Sequence, residues 1–106
     1  MARYMFIARY ASTGAKGVVT GGGSARRSAV EAMAAGLGGR IETFDFAFGE
    51  DDAYIITDLP DNKAAAAVAL AVNSTGHASV RTVVLMTPEE VDAAAMQTVN
   101  YTPPGA

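Results

Sequence analysis

The chain has no cysteine, no tryptophan and a single histidine, and only 18% of its residues are charged. Without cysteine there are no disulfides, thiolate nucleophiles or thiolate-bound metals, which fits a reducing, cytoplasmic setting. A zinc site built from His77 alone would lean wholly on carboxylates, so neither a metal nor a cofactor is expected. The eight basic residues are scattered and outnumbered by eleven acidic ones, for a net charge of -3. The basic stripe of a nucleic-acid binder is therefore missing. No stretch reaches the roughly 20 apolar residues of a membrane span. The N-terminus opens on the alternating "RYMFIARY" where a secretory leader would place a basic region and an apolar run, so no leader is expected.

What is present is apolar patterning: half of the 106 residues are hydrophobic. A chain of this length is expected to form one domain, residues 1–106, burying roughly two thirds of the surface exposed when unfolded. Arg3 to Tyr10 alternates as a strand, with Tyr4, Phe6, Ala8 and Tyr10 on one face and Arg3, Met5, Ile7 and Arg9 on the other. "ASTGAKGVVTGGGSARR" reads as a connector, because adjacent glycines each cost a helix interior about 1 kcal/mol. A helix is expected from an N-cap at Ser24, with Val30, Met33, Ala34 and Leu37 as its buried stripe and Gly36, Gly38 and Gly39 as its stop. Arg40 to Phe48 is a second strand, with Phe44, Phe46 and Phe48 opposite Ile41, Thr43, Asp45 and Ala47. Ala53 to Asp58 returns as a third. "LPDNKAAAAVALAVNSTG" predicts an alanine-rich helix capped by Asp61, anchored in part by Leu70 and ended by Gly76. Val80 to Met86 is the fourth strand. Thr87, Pro88 and Glu90 then form a capping box that starts a short helix to about Gln97, followed by an extended tail. The order is that of a ferredoxin-like βαββαβ fold of the α+β class with a short C-terminal helix. Right-handed crossovers put both main helices on one face of an antiparallel sheet ordered 4-1-3-2.

Several stretches resemble the GYD domain, a family of small bacterial proteins of unknown function. They are "GGGSARRSAVEAMAAGLGGRIETFDFAFGEDDAYIITDLPDN", "AVALAVNSTG", "TPEEVDAA" and "YTPPG". The resemblance implies a ferredoxin-like fold assembled as a dimeric α+β barrel, and no activity. Where the family usually reads Gly-Asp-Tyr-Asp, this chain has Gly49-Glu50-Asp51-Asp52, so Asp51 takes the tyrosine's place. The region from the second strand to the second helix is also similar to the ligand-sensing domain of feast/famine transcription regulators, whose Gly-x-x-Asp turn occupies a comparable place. That fold-level likeness implies a small-molecule site at a subunit interface near Gly49 and Asp52. The helix-turn-helix of those regulators is absent from the sequence.

Four places are candidate sites, each with a structural alternative. In the acidic turn, Gly49 is read as supplying a glycine-only conformation and Asp51 or Asp52 as bonding the turn's own amides; the functional alternative is a cation or amine site. "GGGSARR" resembles an anion cradle with Arg26 and Arg27 beside a helix start, or else a connector whose arginines pair with Glu31 or a partner chain. His77 is read as capping the last carbonyls of the alanine-rich helix, with catalysis as the alternative. Arg9, Thr43, Asp45, Thr57 and Arg81 are placed on the helix-free sheet face, as an inter-subunit ion pair or a polar ligand floor. Met5, Ile7, Ile41, Ile55, Val83 and Leu85 are placed there too, which predicts a homodimer or higher homo-oligomer. The expected role is non-enzymatic small-molecule binding or assembly, with a pocket at the subunit interface. The alternative is a cofactor-free isomerase or monooxygenase of the dimeric-barrel type, for which no catalytic residues are assigned.

Overall fold

A computed structural model describes residues Met1 to Gly105. The elements run β1 (Ala2–Tyr10), α1 (Ser12–Gly21), α2 (Gly23–Gly36), β2 (Arg40–Phe46), β3 (Ala53–Leu59), α3 (Asn62–Thr75), β4 (Ala78–Leu85) and α4 (Pro88–Ala95). The four strands form one antiparallel sheet ordered β2-β3-β1-β4, the order that the connection rules predict. Its aromatic and aliphatic face meets α2 and α3. Tyr4, Phe6 and Ala8 of β1 and Ile55 and Leu59 of β3 form the core with Val30 and Ala34 of α2 and Ala65 and Val68 of α3. The small alanines let the helices lie close to the sheet. The buried Tyr4 hydroxyl is satisfied by donating to Asn62 Oδ1 at 2.6 Å, tying β1 to the start of α3.

Helix boundaries follow local chemistry where a side chain supplies the cap. The Asp61 carboxylate accepts from the Ala64 N–H at 2.9 Å to start α3, and Gly76, at φ 74°, turns the chain out of it. Thr87 and Glu90 form the expected capping box of α4, although the helix closes at Ala95. The largest departure is α1, which occupies the stretch that the glycines mark as a connector. Only Gly22, at φ 88°, breaks the chain there, separating α1 from α2. The N-cap of α2 is consequently Gly22, without a side-chain bond, and not Ser24. Leu70 is 72% exposed and anchors nothing; Ala65 and Val68 hold α3 to the sheet.

The sheet faces differ from the alternation in one strand pair. Between Ile41 and Thr43 the β2–β3 register shifts by a bulge, so Ile41 pairs with Thr57 and Phe44 with Ile55. The extra residue puts Ile41 on the same face as Phe44, toward the helices. Ile55 and Thr57 lie on that face as well, since they pair with Phe6 and Tyr4 of β1. Thr57 is buried there, its hydroxyl donating to the Tyr4 carbonyl at 3.2 Å. The strand ends at Phe46, and Phe48 is fully exposed in the loop.

Two glycines make a sharp contrast. A methyl group at Gly39 would collide with the Asp58 carbonyl oxygen and come within 2.8 Å of a Leu59 methyl. At Gly49 it would meet nothing within 4 Å, and Gly49 lacks the positive φ that the turn suggests. Gly39→Ala is therefore expected to destabilise the protein by about 1–3 kcal/mol through overpacking, and Gly49→Ala by less than about 0.5 kcal/mol. Urea melts of the two variants check this, and the reverse ranking would contradict the packing described.

Candidate functional site

The first helix creates the principal cavity. The Ala11 N–H donates to the His77 carbonyl at 2.9 Å, and Gly14 sits so close to that carbonyl that a methyl group would collide with it. This clamp lays α1 across the turn between α3 and β4. The facing positions of α1, α2 and α3 are small, Gly17, Gly21, Ala25, Ala29 and Ala71, and cannot fill the space between the helices. The result is a cleft of about 650 Å³ whose polar lining includes Tyr10, Thr13, Arg26, Thr75 and His77. A second cavity of about 40 Å³ lies between helices and sheet, among Phe6, Val30, Ile41, Phe44, Val68 and Val80. The two share the walls formed by Tyr10, Arg26, Met33, Val72 and Ala78, so the small apolar cavity lies directly behind the cleft.

The predicted residues divide between this cleft and the opposite sheet face. Arg26 is half-buried and lines both cavities, whereas Arg27 is exposed, pairs with Glu31 at 3.7 Å and lines neither. His77 lines the cleft, and its ring does not cap α3: Nδ1 lies 2.8 Å from Thr13 Oγ1, joining the turn to α1.

On the helix-free face Arg9 and Arg81 do converge, but on Asp51 and not on Asp45. Asp51 Oδ2 accepts from Arg81 at 3.1 Å and Oδ1 lies 3.8 Å from Arg9, which also reaches Glu50 at 3.6 Å. Asp51 is thus the hub of a small ion-pair network over a shallow depression. Asp45 is exposed and forms no ion pair among the described residues. Asp52 closes its own turn only through its carbonyl, which accepts from the Ala47 N–H at 2.8 Å. Its carboxylate accepts from the Tyr10 N–H at 2.7 Å and its N–H donates to the Ala8 carbonyl at 2.9 Å, so it splices the loop onto the end of β1. Gly49 is exposed at the loop tip. At the other end of β1, the hydrogen bond that Arg3 Nε donates to Glu42 Oε2 at 2.7 Å, followed by the Glu42 charge, holds the Arg3 guanidinium above its ordinary pKa. Among the described residues no three metal-binding side chains come together.

Sequence reasoning missed Tyr10, Thr13, Met33 and Thr75 as cleft residues, because it left α1 out. A signal was there: Gly14, Gly17, Val18 and Gly21 fall at i, i+3, i+4 and i+7, one face of a helix, and all four line the cleft. A comparison with known families matches residues 4–95, from β1 to the end of α4, to the GYD domain. No curated protein and no solved structure matches the chain.

Proposed function

The chain belongs to the GYD domain family, and from that premise we propose that it is a non-enzymatic small-molecule-binding protein whose ligand lies in the cleft between α1, α2 and α3. The observation that carries this reading is the cleft itself, about 650 Å³ and walled largely by apolar side chains, within the size range of small-molecule sites. It replaces the interfacial pocket as the preferred location, because one chain supplies all of its walls. The absence of cysteine suits a reducing cytoplasm, where we place the protein. Tyr10 and His77 on the same cleft favour the second reading, a cofactor-free enzyme; recovery of a chemically altered ligand would support it.

Filling the cleft tests the first reading. Ala29 lines the cleft and is otherwise exposed, so Ala29→Trp should leave the fold intact. Wild type is expected to bind Nile red at one site per chain by fluorescence titration, and Ala29→Trp to weaken that binding about tenfold or more. Equal binding by the two proteins would refute the cleft as the site.

We also propose that the protein works as a homodimer joined through its helix-free sheet face. Every residue from Pro88 to Gly105 is exposed, and α4 has no extensive packing against any other element. The Cα radius of gyration is 16.8 Å, against about 13 Å for a compact chain of this length. A second copy gives the terminal segment, with exposed Val91, Met96, Val99 and Tyr101, an apolar surface to cover.

A further inference from the structure

We propose that the cleft takes an amphipathic organic anion, with an apolar body against Val18, Met33 and Val72 of the cleft wall and an anionic group paired with Arg26. This rests on the cleft being the binding site and adds the chemical class of its occupant. Arg26 is distinguished by what it lacks. Of the six arginines, Arg3, Arg9, Arg27, Arg40 and Arg81 each lie within 4.0 Å of a carboxylate of this chain. Among the described arginines Arg26 alone forms no such pair, although it is half-buried, where a guanidinium gains from a counter-charge.

The surroundings sharpen the point. The protein carries eleven acidic residues, yet none lines either cavity. An acidic protein has thus kept carboxylates away from one recess and placed an arginine there. That arrangement favours an anion and disfavours a cation. Arg26 stands on the shared wall, so a group bound to it has the apolar cavity on one side and the open cleft on the other. Beside Arg26, the cleft wall is formed by Val18, Met33, Ala71 and Val72, which offer mainly hydrocarbon contact. A carboxylate suits a guanidinium's planar fork, and an aromatic or aliphatic body suits the rest.

The experiment compares two probes of one shape, naphthylacetate and its uncharged amide naphthylacetamide, by calorimetry on the full chain. Wild type is expected to bind the anion at least about tenfold tighter than the amide. Arg26→Gln should erase that preference, with anion and amide then binding within about twofold of each other, without lowering the melting temperature, and Arg26→Lys should keep part of it. Equal affinity of wild type for both probes, or a preference that survives in Arg26→Gln, would overturn the anion assignment and leave the cleft standing. Binding of neither probe would overturn the cleft reading as well.

Discussion

Val83→Asp is expected to turn the protein into a 10.9 kDa monomer that remains folded. On the helix-free face, Ile56, Met5 and Val83 lie side by side across β3, β1 and β4, and Leu85 pairs with Arg3 one row away. Val83 is 38% exposed in the single chain, so an aspartate there can be hydrated in the monomer but not inside a dimer interface. Covering the exposed parts of these side chains contributes on the order of a few kcal/mol per subunit, before association entropy is charged against it. A buried, unpartnered carboxylate on each copy offsets all of that. Light scattering at micromolar concentration should give twice 10.9 kDa for wild type and the single-chain mass for the variant. A monomeric wild type would end the assembly proposal, and a variant that stays dimeric would place the interface elsewhere. Ile7→Asp tests this less cleanly: Ile7 is only 7% exposed within one chain, so a charge there unfolds the monomer too.

The second large effect is expected at Leu59, whose replacement by alanine should destabilise the protein by about 2–5 kcal/mol. Leu59 is fully buried at the end of β3, paired with Ala2 of β1 and closed over by Gly39, which leaves no side chain free to fill the space. At about 4–8 °C per kcal/mol for a chain near this size, the melting temperature should fall by roughly 10 °C or more. Leu70→Ala is the control. With its side chain 72% exposed, it should change stability by less than about 0.5 kcal/mol. Equal losses at the two leucines would mean that the core is not centred where the structure puts it.

These two leucines show where the pattern is legible and where it is not. Leu70 falls in a periodic, apolar stretch and reads as an anchor, while Leu59 stands beside Pro60, between the expected end of the third strand at Asp58 and the helix cap at Asp61. Burial reverses them, because β3 runs one residue further than its alternation suggests and α3 turns Ala65 and Val68 inward. The same holds for the candidate site. Arg26 and His77 stand out as a helix-start arginine and a lone histidine, but their shared cleft depends on α1, a helix whose glycines argue against it one by one. Contact with the His77 backbone overrides that propensity.

By itself the sequence determined the α+β class, the strand order, the aromatic face of β1 and the caps of α3 and α4. These follow from local rules: period-two alternation, the handedness of crossovers, and side chains that bond the nearest free amides. Only the tertiary structure decided that Ile41, Ile55 and Thr57 face the helices, that Asp51 gathers Arg9 and Arg81, and that a cleft opens beside Arg26. A bulge moves every residue beyond it to a new position relative to its partner strand, and a cavity is the space that facing side chains fail to fill. Both depend on residues far apart in the chain, so no single stretch encodes them.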